Sequence, residues 1–103
     1  MTVELLYFDG CPSYEALLTR VRTLLAETGV AADVRLRCVR SANEAERERF
    51  LGSPTLRIDG RDIDPAASER TDYGLKCRLY ANGNGLRGMP PDALILEALA
   101  SRA

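Results

Sequence analysis

The chain contains no histidine. Imidazole is therefore missing both as a general base and as a metal ligand, which sets aside serine-hydrolase, papain-like and ordinary zinc-hydrolase chemistry. Lysine is nearly as scarce: Lys76 stands alone, and arginine carries the rest of the positive charge. Neither sign dominates, with Lys+Arg 14 against Asp+Glu 15, and the charges are scattered, so no basic face marks a nucleic-acid partner. No apolar run approaches the ~20 residues of a membrane span, and no early segment joins a basic stretch to an apolar one as a secretory leader does. Neither a nucleic acid nor a membrane is expected as partner. A cytoplasmic address is expected, where an odd set of three cysteines stays mostly reduced. What remains for chemistry is sulfur, carboxylate, hydroxyl and arginine, with no cofactor implied.

The 103 residues suit one domain, 1–103, with one core. Thr2 to Phe8 is an apolar strand closed by Asp9-Gly10. From Pro12 to Thr28 the apolar positions Tyr14, Leu17, Leu18, Val21, Leu24 and Leu25 recur at three and four, which predicts an amphipathic helix stopped at Gly29. Asp33 to Val39 alternates, with Val34, Leu36 and Cys38 on one face, and Cys38 reads as core. Ser41 to Phe50 predicts a short polar helix with Ser41 as N-cap and Glu44 completing a capping box, ended by Gly52-Ser53-Pro54. Thr55–Ile58, Asp59-Gly60 and Arg61–Ile63 predict a hairpin with a type I′ turn. Ala93 to Ala100 is a last helix entered through Pro90-Pro91-Asp92.

Two places carry chemical interest. Cys11 stands between the first strand and the first helix, where a positive helix end favours a thiolate, and Pro12 suits the first helical position. Pro54, opening the third strand, predicts a constrained turn of the kind a cis peptide makes. Asp9 reads as a helix cap or a proton acceptor near Cys11, and Tyr14 as packing whose hydroxyl reaches a bound sulfur.

The βαβαββα order, Cys11-Pro12-Ser13-Tyr14 at the first strand–helix junction and Ser53-Pro54-Thr55 before the third strand resemble the thioredoxin superfamily. The resemblance covers residues 2–63 and the last helix. It implies an α/β, thioredoxin-like βαβαββα fold with a four-stranded mixed sheet and an insertion before the last helix. It also implies Cys11 as the attacking thiolate, with Pro54, Ser53 and Thr55 offering a loop to an extended thiol or disulfide substrate, a protein or a glutathione-like molecule. The chain departs from the family's dithiol pattern at Tyr14, where a second cysteine would stand, so Cys11 works as a monothiol or with a resolving cysteine elsewhere.

Residues 64–90 exceed what that fold needs and read as a lid-like insertion carrying Cys77 and the flexible, glycine-rich stretch 82–88. Family topology places this insertion at the edge of the sheet that holds Cys11, which makes Cys77 the candidate distal partner. Lys76 and Arg78 flank Cys77 and are expected to favour its thiolate; the competing reading of Cys77 is a small buried residue. Thiol–disulfide exchange is the first functional expectation. The alternatives are a two-coordinate site of Cys11 and Cys77 for a soft ion, mercury or copper(I), resembling small proteins of the alkylmercury-lyase-like kind, whose lyase chemistry would add Asp9 as the carboxylate, and a noncatalytic interaction module.

Overall fold

Val3, Leu5 and Leu6 lose almost all their exposure where β1 (Thr2–Tyr7) takes an interior place in a four-stranded sheet. This is a computed structural model and describes residues 1–101; of the single domain expected over 1–103, residues 102 and 103 lie outside the described residues. β1 pairs in parallel with β2 (Asp33–Cys38) from Thr2↔Asp33 to Tyr7↔Cys38. On its other side it runs antiparallel to β3 (Thr55–Ile58), from Val3↔Ile58 to Leu6↔Thr55. β4 (Arg61–Asp62) closes the sheet antiparallel to β3, giving the order β2-β1-β3-β4.

Alternation along the strands divides the core between two faces. Val3, Leu5, Leu56 and Ile58 pack with Leu17, Val21 and Leu24 of α1 (Tyr14–Thr28) and with Ile95 and Leu99 of α3 (Asp92–Ala100). Leu6, on the opposite face, packs with Val39, Phe50 and Ala45 of α2 (Ala42–Glu48). Each fully buried aliphatic side chain contributes roughly 1.5–3 kcal/mol relative to exposure, so the inward stripe of α1, more than its intrinsic propensity, holds that helix in place. The result is a mixed α/β fold with a four-stranded mixed sheet and, among the described residues, three α-helices. No helix among the described residues is long and apolar enough to cross a membrane.

Several local expectations hold. The Ser41 hydroxyl accepts the Glu44 N–H at 3.0 Å, capping α2. Asp59 and Gly60 both take positive φ, 50° and 85°, as a type I′ turn demands.

Other expectations are corrected. Helix α1 begins at Tyr14, not Pro12; the first carbonyl to join its ladder is that of Ser13, accepting from Leu17 N–H at 3.1 Å, so Pro12 lies ahead of the helix and not at its first position. Helix α2 ends at Glu48, and its C-cap Arg49, at φ 54°, turns the chain early enough to drive Phe50 into the core with Leu6. In β2 the face assignment fails: Leu36 is 47% exposed and Cys38 half-buried, because this edge strand is covered on neither side at its middle, and Val39 just beyond it enters the core instead. Asp9 is exposed and is not the cap of α1, a place held by Ser13. The stretch 82–88, expected to be flexible, forms most of a second hairpin, β5 (Tyr80–Asn82) with β6 (Gly85–Arg87). Asn82-Gly83-Asn84-Gly85 between Tyr80 and Leu86 is a hairpin signal in its own right. A 3₁₀ turn over Pro65–Glu69 precedes it.

Candidate functional site

β1 ends at Tyr7, and the antiparallel register with β3 places that end beside the start of β3. The chain then reverses tightly: Cys11 N–H donates to the Phe8 carbonyl at 3.2 Å, closing a turn over Phe8–Cys11. Cys11 is a free thiol only 5% exposed. Pro12 is exposed and Ser13 half-buried, while the Tyr14 ring stacks on Tyr7 with centroids 3.9 Å apart and planes 10° from parallel. That stacking braces the two ends of the Cys11 loop against each other.

The neighbouring loop contains the cis peptide Ser53–Pro54. All of residues 51–56 are buried, Ser53 to 1% and Thr55 to 0%. What covers them is the chain itself. Ser53 N–H donates to the Lys76 carbonyl at 2.8 Å, and Arg78 N–H donates to the Ser53 carbonyl at 2.9 Å, so Ser53 and Cys77 form a parallel bridge. Gly52 makes this approach feasible: a Cβ there would lie 2.9 Å from the Lys76 carbonyl oxygen and 3.1 Å from the Arg78 Cβ.

The segment 75–80, joined to Ser53 by one isolated bridge at Cys77 and leading into β5, alternates in an unusual sense. Leu75, Cys77 and Leu79 face outward, while Arg78 and Tyr80 face in. The guanidinium of Arg78, 2% exposed, holds both oxygens of Asp62 (Nη1–Oδ2 2.6 Å, Nη2–Oδ1 3.0 Å) and donates to Thr55 Oγ1 at 3.2 Å. It also lies over the Tyr80 ring, 4.6 Å from the centroid. Thr55 Oγ1 donates in turn to the Gly52 carbonyl at 2.6 Å, and the Tyr80 hydroxyl to the Pro54 carbonyl at 2.6 Å. The Ser53 hydroxyl and Arg78 Nε are buried without a partner.

Cys77 itself is free and exposed. The two cations expected to favour its thiolate are committed elsewhere: Arg78 turns inward to Asp62, and Lys76 Nζ bonds Asp72 at 2.7 Å. Asp72 takes two further hydrogen bonds from Arg70, and these bonds, Arg70 first and Lys76 second, hold its carboxyl well below the usual range. The flanking-charge argument for Cys77 is thus corrected. The structure sets the Cys11 turn and the Ser53–Pro54 loop at one end of the β1–β3 pair and puts Cys77 against Ser53; no disulfide links the thiols. Sequence reasoning missed Arg78, Tyr80 and Asp62 as the group holding this loop. The available signal was an arginine and a tyrosine two apart in an alternating run whose other positions are Leu75, Cys77 and Leu79.

Burial pushes the Tyr80 hydroxyl well above the ordinary tyrosine range, with Asp62 and Asp64 acting in the same direction and Arg78 opposing. Between about pH 10, where an unfolded tyrosine releases its proton, and the higher folded value, the folded chain holds more protons than the unfolded one. Stability is therefore expected to fall as pH rises above about 10, with a slope of up to about 1.4 kcal/mol per pH unit from this group. Urea midpoints across that range check it; Tyr80→Phe should flatten the slope, and an unchanged slope in that variant would refute the assignment.

The fold and site together define a mixed α/β domain with a buried thiol at the same sheet end as a cis-proline loop that is strapped by its own chain. No family model, curated protein or solved structure matches this chain.

Proposed function

We propose that this chain is a thioredoxin-like thiol protein that carries out thiol–disulfide exchange through Cys11 acting as a monothiol. The observation that carries the reading is the convergence of the Cys11 turn and the buried Ser53–Pro54 loop at one end of the β1–β3 pair. The order β2-β1-β3-β4, with β1 parallel to β2 and antiparallel to β3, supports the same family likeness. Cys11 acts as attacking thiolate on a thiol or disulfide substrate, and the three free cysteines suit a reducing, cytoplasmic compartment.

Cys11→Ser is expected to lower the rate of disulfide reduction at least about a hundredfold, as other nucleophile deletions do, with the circular dichroism spectrum and urea midpoint preserved. Undiminished reduction by Cys11→Ser would end this reading.

A further inference from the structure

A protein edge binds an extended polypeptide through main-chain hydrogen bonds, so it must offer unpaired N–H and C=O groups. The loop beside the Cys11 turn offers none at its centre. The Ser53 N–H and C=O are both taken by Lys76 and Arg78, the Gly52 carbonyl by Thr55 Oγ1, and the Pro54 carbonyl by the Tyr80 hydroxyl. The covering segment is not loosely laid. Displacing it would strip a buried guanidinium of Asp62 and Thr55, and a buried charge without its partner is far costlier than an ordinary lost contact. Cys11 itself is only 5% exposed.

We infer that Lys76–Arg78 is a resident bridging segment filling, in cis, the edge on which an extended polypeptide disulfide would lie, so that the exchange partner of Cys11 is a small disulfide and not a polypeptide. This rests on the thiol-exchange reading and names its substrate class. The chemistry balances with the small disulfide as oxidant. The Cys11 thiolate attacks one sulfur of R–S–S–R; that bond breaks, Cys11–S–S–R forms and RS⁻ leaves. A small thiolate R′S⁻ then attacks the R sulfur, releasing R–S–S–R′ and restoring the Cys11 thiolate. The segment decides which disulfides reach the sulfur and takes no part in the electron flow.

The test uses the full reduced chain and two probes sharing one leaving thiol: bis(2-hydroxyethyl) disulfide, and an unstructured cysteine peptide as its mixed disulfide with 2-mercaptoethanol. Adducts on Cys11 are timed by acid quench and mass mapping, which separates them from adducts on exposed Cys77. Cys11 is expected to react with the small probe about tenfold faster or more, a barrier difference of at least one decade. In Arg78→Met/Asp62→Asn, which frees the segment without stranding a charge, the peptide rate should rise toward the small-probe rate while the latter stays as it was. Equal rates in the unaltered chain, or a gap that survives release of the segment, would overturn the inference and leave the exchange reading standing. A Cys11 inert to both probes would end both. Amide hydrogen exchange on the unaltered chain gives a check that needs no variant: the Ser53 and Arg78 N–H groups should be strongly protected, and loop-like exchange at either would show that the segment is not resident.

Discussion

Replacing Gly52 by alanine is expected to cost about 3 kcal/mol of stability, the sum of two separable effects. The first is conformational. Gly52 sits at φ 121°, where an L side chain meets its own backbone at a cost of about 1 kcal/mol or more. The second is contact: the new Cβ would meet the Lys76 carbonyl oxygen at 2.9 Å and the Arg78 nitrogen at 3.2 Å. Both are main-chain atoms, held by the hydrogen bonds to Ser53, and cannot rotate aside as a flexible side-chain tip would; overpacking of this kind costs about 1–3 kcal/mol. Gly60→Ala separates the two, because φ there is 85° and nothing lies within 4 Å of the added carbon. That variant should lose only about 1 kcal/mol. Urea unfolding of both, with a gap of about 2 kcal/mol between them, would measure how firmly the segment holds the loop. Equal losses would mean that the segment moves away at no cost.

The same region explains what was and was not legible in the sequence. Features set by near neighbours along the chain could be read: the stripe of α1, the Ser41–Glu44 cap, the Asp59-Gly60 turn and the strand–turn–helix setting of Cys11. Their determinants lie within a few residues of one another. The Ser53↔Cys77 bridge joins residues 24 positions apart by main-chain groups alone, and main-chain hydrogen bonds leave no mark in residue types. Arg78 was harder still. Beside Lys76 and Cys77, an arginine reads as one more solvated cation, since arginine is seldom fully buried without a partner. Its partner, Asp62, sits 16 residues away on β4, and only the folded sheet brings the two together. Leu36 and Cys38 failed for the reciprocal reason: their alternation was genuine, but alternation does not say whether anything packs on the face it marks.

Arg78→Met is expected to be the more damaging single change in the segment, with a loss of about 3–5 kcal/mol. Methionine fills much of the arginine stem's space, so the loss is not mainly a packing defect. The Asp62 carboxylate, 14% exposed, would lose both guanidinium bonds and keep only the Asp64 N–H at 2.9 Å. Asp64 Oδ2, 3.9 Å from the guanidinium, would then add repulsion with no cation between the two carboxylates. The charge can be removed without the shape: Asp62→Asn still accepts the Asp64 N–H while losing its anion. Arg78→Met/Asp62→Asn should therefore recover at least about half of the single-variant loss, since an uncharged pair escapes the penalty of an unpaired buried ion. Arg78→Lys should fall between, keeping a charge but losing the fork that spans both Asp62 oxygens and Thr55 at once. Urea midpoints of the four chains supply the comparison. A double variant no more stable than Arg78→Met would place the loss in Thr55 and the Tyr80 ring, and the ion pair would then not be what holds the segment against Ser53.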